Sequence, residues 1–242
     1  MKIVQKMAAK LQNNLACEGV TIAFLGDSVT QGCFDIYQQL GGGIETFYEQ
    51  KHTYERGVWE ILSMLYPSCP INVINAGISG DSAPGGLARV ERDVLRHQPD
   101  LCVVCYGLND ACATDEGSIA RYTGALRGIF NAIQAAGIEL IFMTPNMMNT
   151  HVSPHLTNPA FVAIAEATAQ RQTSGGFDQH IEAARALCRE LNVPVCDCYA
   201  IWKTLHASGV NTTELLANKI NHPTPAMNRM FAYELVKTML EC

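Results

Sequence analysis

The chain has 242 residues, enough for one large domain or two small ones, and a single domain of this size buries about 70–75% of its unfolded surface. Lysine and arginine total 17 against 23 aspartates and glutamates, a net charge of −6, which argues against nucleic acid as a partner because that needs a basic face. With 48% hydrophobic and 17% charged residues, a disordered chain is excluded.

Ile3, Met7 and Leu11 recur at helical spacing, so residues 1–18 are expected to form an amphipathic helix. The first strand is expected over 20–25. Residues 33–52 follow as a glycine- and aromatic-containing insert with Phe34, Tyr37, Phe47 and Tyr48. That insert reads as a lid or acyl-side wall, or as a plain surface excursion. A helix is expected over 54–65, with Val58, Ile61, Leu62 and Leu65 on one face. Next come a strand over 71–76 and a helix over 84–97, which opens on a proline. A strand over 101–106, a helix over 118–136 and a strand over 138–144 continue the alternation. Residues 159–191 read as two helices divided near Gly175-Gly176, before a short strand over 193–196 and a closing helix over 224–240.

The five strand segments are apolar throughout rather than alternating, as strands covered on both faces are. Strands alternating with helices indicate one α/β domain over 1–242, built on a five-stranded parallel sheet. In such sheets ligands bind beyond the carboxyl ends of the strands.

The ten cysteines lie largely in apolar runs, such as Leu101-Cys102-Val103-Val104-Cys105, where cysteine packs as a small hydrophobe. Strand residues three apart point to opposite faces, so Cys102 and Cys105 are poorly placed to bridge or chelate. Cys196 and Cys198 have no partner pair at zinc spacing. No metal and no other cofactor is therefore expected. No signal-peptide core and no run of 18 apolar residues occurs, so no membrane association and a cytoplasmic location with reduced thiols are expected.

The loop after the first strand is Gly26-Asp27-Ser28-Val29-Thr30, and a serine there can stand exposed at the sheet edge. A second Gly-Asp-Ser at residues 80–82 shows that the tripeptide alone decides little, and Ser28 is not in a Gly-x-Ser-x-Gly elbow. The loop after the second strand, Asn75-Ala76-Gly77-Ile78-Ser79-Gly80-Asp81, allows close backbone approach to a ligand. Gly107-Leu108-Asn109-Asp110 follows the third strand and offers a neutral amide donor. His222 in Asn218-Lys219-Ile220-Asn221-His222-Pro223 stands just before the last helix and could take a serine proton.

These four blocks, in this order, resemble the SGNH (GDSL-type) esterase and lipase family, over nearly the whole chain from about Thr21. The resemblance implies a flavodoxin-like three-layer α/β/α sandwich. It implies Ser28 as nucleophile and His222 as general base, with an oxyanion hole from the Ser28 and Gly80 N–H groups and the Asn109 side chain. Asp27 is expected to support this site.

One position departs from the family pattern. An aspartate usually stands three residues before the histidine, and here that residue is Lys219. The Asn218 side-chain carbonyl or a backbone carbonyl is then expected to orient the ring. Asn146 and His151, in the loop after the fourth strand, are expected to contact substrate. The function that follows is a serine ester hydrolase working through a Ser28 acyl-enzyme on short acyl esters such as acetylated carbohydrates. Alternatives are a lysophospholipase- or thioesterase-like acyl hydrolase, or a non-catalytic carbohydrate-binding protein on the same fold. The partner is then a small-molecule or carbohydrate ester.

Overall fold

The computed structural model describes Met1–Cys242 in full. The chain opens with helix α1 (Lys2–Gln12), then strand β1 (Val20–Gly26) and the one-turn helix α2 (Ser28–Gln31). Strands β2 (Cys33–Gln38) and β3 (Ile44–Tyr48) form an antiparallel hairpin, followed by α3 (Tyr54–Leu65), β4 (Ile71–Gly77) and α4 (Ala83–Asp93). Then come β5 (Leu101–Cys105), α5 (Ser118–Ala135), β6 (Glu139–Met143), α6 (Pro159–Thr173) and α7 (Gly176–Leu191). The chain closes with β7 (Val195–Cys196), α8 (Cys198–Ala207) and α9 (Pro225–Glu241).

The main sheet is parallel, in the order β4-β1-β5-β6-β7. Counted along the chain, its five strands lie 2-1-3-4-5, the flavodoxin-like order expected from the family blocks. Alternation along β1 divides the core into two layers. Ile22 and Phe24 pack with α1, α3, α8 and α9, while Ala23 and Leu25 pack with α4, α5 and part of α7. Cys102 and Cys105 fall into opposite layers, as strand geometry requires, and no cysteine is paired.

The strand order reverses between β1 and β5, which places the loops after both strands at the crevice of the sheet. Register fixes three loops side by side there, since Gly26 pairs with both Gly77 and Cys105. A side chain at Gly77 would meet Gln31 N at 2.2 Å, so only glycine lets α2 settle on the sheet edge.

Two expectations need correction. Helix α1 ends at Gln12 rather than residue 18, and Leu11 is exposed. On α3 the buried apolar series is Tyr54, Val58 and Leu62, with Leu65 exposed. The insert contains the β2–β3 hairpin, whose tip is the run Gly41-Gly42-Gly43. Helix α8 was not expected at all. Its Asp197 N-cap accepts from Ala200 N at 3.2 Å, and its Trp202 is fully buried.

Candidate active site

The reacting geometry is carried by two residues that are 194 apart in sequence. Ser28 Oγ lies 3.0 Å from His222 Nε2, and both side chains are buried. Ser28 opens α2, and the preceding Asp27 caps that turn by accepting from Val29 N at 3.0 Å. As the first residue of the helix, Ser28 has an N–H with no partner one turn back. His222 sits on the loop before α9. Asn146 is buried in the loop after β6 and donates to Asn221 O at 2.8 Å, bracing that loop.

The other side of His222 departs from a serine triad. No carboxylate faces Nδ1. Its neighbours are Asn218 Nδ2 at 3.1 Å and Cys33 Sγ at 3.3 Å. The Asn218 amide cannot turn over, because its oxygen accepts from Ile220, Asn221 and His222 N–H, each at 3.0 Å. The expected carbonyl contact is therefore corrected: the amide nitrogen faces the ring. Lys219 adopts a left-handed backbone with φ of 59°, and its ammonium pairs with Glu214 at 2.9 Å, away from the imidazole.

The oxyanion candidates lie on the two flanking loops. Gly80 is exposed with φ of 77°, and its N–H makes no hydrogen bond within the chain. Asn109 Nδ2 donates to Asp81 O at 2.7 Å, which leaves its second amide hydrogen available. The second Gly-Asp-Ser is structural. Asp81 is held by Arg89 at 2.7 Å and by Tyr106 Oη at 3.0 Å.

Arg89 was missed by sequence reading. It is buried, and it donates to Ala76 O at 2.6 Å and Gly26 O at 2.9 Å, tying together the ends of β4 and β1. One signal was available: Arg89 falls on the buried face of α4, with Ala83, Gly86 and Val90. Cys33 was also missed, and no local pattern links it to a histidine 189 residues away.

The hairpin packs against the site. Cys33 touches His222, Thr46 Oγ1 lies 3.5 Å from Ser79 Oγ, and Gln38 accepts from Asn158 at 2.8 Å. The insert is thus packed against the His222 side of the site rather than a detached surface loop. Cavities of 880 and 630 Å³ lie at the β4 edge and beside α1, and neither is lined by Ser28 or His222.

Burial dominates the electrostatics. It lowers the His222 pKa to about 4 and pushes the Cys33 thiol up to about 12. It raises Asp27 to about 7, with Asp110 and Asp81 adding to the effect and the Val29 N–H opposing it. Asp110 rises to about 6 for the same first reason.

Neither residue expected to contact substrate hydrogen-bonds to Ser28 or His222. Asn146 is fully buried, and its amide nitrogen braces the His222 loop. His151 is exposed, and its ring meets Thr150 and Thr213 at 3.3 Å each rather than Ser28 or His222. No group of three or more His, Cys, Asp or Glu side chains is arranged to hold a metal ion. No helix is long and apolar enough to cross a membrane.

Residues 24–230 match the GDSL-like Lipase/Acylhydrolase family. The chain belongs to that family. An acetylxylan esterase of Geobacillus stearothermophilus is 34% identical over 92 residues, which is 38% of this chain and 40% of that protein. The crystal structure of Axe2, an acetylxylan esterase from the same organism, superposes with a TM-score of 0.66 at 21% identity, covering 92% of this chain and 94% of that one. A two-domain esterase active on acetylated mannans gives 0.68 at 19% identity, with 99% of this chain on 52% of that one. This family member therefore spans about half the length of the two-domain esterase. At such identities the superpositions establish a shared fold.

Proposed function

We propose that this family member is a serine esterase that removes short acyl groups, acetate above all, from carbohydrate esters. The observation that carries the reading is the 3.0 Å contact between Ser28 Oγ and His222 Nε2 at the topological switch point of the sheet. Ser28 Oγ attacks the ester carbonyl while its proton passes to Nε2. The oxyanion is met by the Ser28 and Gly80 N–H groups and the free Asn109 amide hydrogen. The tetrahedral species collapses to an acyl-enzyme, and His222 gives its proton to the departing alcohol. Water then repeats the sequence and releases the acid.

Two features support a small acyl group on a sugar. The serine is recessed, with 4% of its surface exposed, which suits a small acyl group. The similar esterases act on acetylated xylan and acetylated mannans. A reducing cytoplasmic setting suits the ten unpaired cysteines.

The test is a panel of acetyl, butyryl and octanoyl p-nitrophenyl esters, an acyl thioester, a lysophospholipid and acetylated xylo- and manno-oligosaccharides. Wild type is expected to favour acetyl esters and to deacetylate the sugars. Ser28→Ala should abolish turnover, whereas Ser82→Ala, at the half-buried N-cap of α4, should retain it. Equal rates for wild type and Ser28→Ala would overturn the reading.

A further inference from the structure

His222 Nδ1 stands between an amide nitrogen and a thiol. The amide nitrogen is Asn218 Nδ2, held in place because the oxygen of the same amide is occupied by three backbone N–H groups. The other Nδ2 hydrogen goes to Asn221 Oδ1 at 2.9 Å. The other neighbour is Cys33 Sγ, 3.3 Å from Nδ1, whose S–H has an acceptor of its own in Asp35 O, 3.7 Å away.

A neutral imidazole carries one proton, and its position decides whether the ring can act as a base. With the proton on Nε2, the ring accepts from Asn218 at Nδ1 and donates to Ser28 Oγ. It then has no lone pair aimed at the serine hydroxyl. With the proton on Nδ1, Nε2 accepts from Ser28 and the reaction can start. That second form needs an acceptor at Nδ1, and the only one within hydrogen-bond reach is the Cys33 sulfur.

We propose that Cys33 is a positioning residue that replaces the missing carboxylate: its sulfur accepts the His222 Nδ1–H and selects the productive tautomer against Asn218. The inference rests on the esterase reading, since it assigns His222 the task of taking the Ser28 proton. In the acylation step the Ser28 proton moves to Nε2, Nδ1–H stays bonded to sulfur, and the thiol remains protonated throughout. A neutral sulfur stabilises the resulting imidazolium less than a carboxylate does. The groups around the ring are Ser28 from α2, Cys33 from β2, and Asn218 with Asn221 from its own loop. The nearest charges act at one remove, from Asp27 and Asp35 beside Cys33. The sequence position of Cys33 explains how it arrives there. It is the first residue of the hairpin, immediately after Gly32 turns the chain out of α2, so the segment that carries the nucleophile also delivers the sulfur.

The experiment is nitrogen NMR of the histidine rings at neutral pH, with His222 assigned by the His222→Gln variant, together with kinetics on p-nitrophenyl acetate. Wild type should hold its proton on Nδ1. Cys33→Ala should move it to Nε2 and lower kcat by about 10²-fold with KM unchanged, the scale of losing a correctly oriented general base. Cys33→Ser, which restores an acceptor, should keep the Nδ1 tautomer and recover kcat. A merely structural role would change kcat without moving the ring proton. A wild-type ring protonated on Nε2, or a Cys33→Ala enzyme that keeps the wild-type tautomer whatever its kcat, would overturn the proposal. Because the tautomer is read without substrate, failure of the esterase reading is seen separately, as wild-type and Ser28→Ala rates that coincide.

Discussion

Asn218 Nδ2 lies 3.1 Å from His222 Nδ1, with the oxygen of the same amide turned away into three backbone N–H groups. Replacing Asn218 by Asp keeps that oxygen and puts an acceptor where the donor stands. His222 works as a base only when neutral, so activity is present above its pKa and lost as pH falls through it. In the native chain burial sets that limb near pH 4. A carboxylate beside the ring favours the imidazolium and raises the pKa. Asn218→Asp should therefore raise kcat and move the acid limb of kcat/KM to higher pH. A pH–rate profile measures both, and an unmoved limb would contradict the geometry.

Asn109 donates one amide hydrogen to Asp81 O and keeps the other. Truncation to alanine should lower kcat by roughly 10²–10³, the usual cost of one oxyanion donor. Steady-state kinetics on an acetyl ester decides the point: an effect confined to KM would assign Asn109 to ground-state binding instead.

Arg89 joins Gly26 O, Ala76 O, Asp81 and Asp93 from a side chain only 8% exposed. Arg89→Met takes the guanidinium from two strand-end carbonyls and the Asp81 carboxylate, leaving Tyr106 Oη on Asp81 and the Ile78 N–H on Gly26 O. Breaking a buried pair of this kind costs about 3–5 kcal/mol. Urea denaturation should show that loss, and a cost below about 1 kcal/mol would mean that water replaces the guanidinium, as at exposed pairs.

Asp27 is held at about 7 by burial, above its usual value of 3.8. A raised folded-state pKa means that the folded chain binds more protons than the unfolded one between those two values. Its contribution is then fully present below pH 4 and lost as pH rises through 7. Asp27→Asn should gain stability over wild type progressively across that interval and stay constant above it. Thermal unfolding at several pH values checks the slope, and a gain independent of pH would remove ionisation as its cause.

Much of this architecture is legible in the linear chain. The apolar strand segments mark a sheet covered on both faces, because burial leaves a local signature at every position. Helix ends are readable for the same reason: Gly175 and Asn192 both turn left-handed at the boundaries of α7. The hairpin escaped because, beyond the buried Cys33 and Phe34, its residues are partly or fully exposed on both faces, so its alternation carries weak contrast. For Asn146 and His151 a loop position does not say which way a side chain points. One faces into protein and the other toward threonines.

The amino-acid sequence alone determined the α/β class, the four motif blocks, the pairing of Ser28 with His222 as candidates and the loss of the usual aspartate at Lys219. Those are properties of residue identity, local periodicity and order. Only the tertiary structure decided what replaces the aspartate. The Asn218 amide direction is set by three converging N–H groups, and Cys33 reaches the ring across 189 residues because α2 and the hairpin fold back over the sheet edge. A contact of that span depends on how distant segments pack, and no local pattern records it.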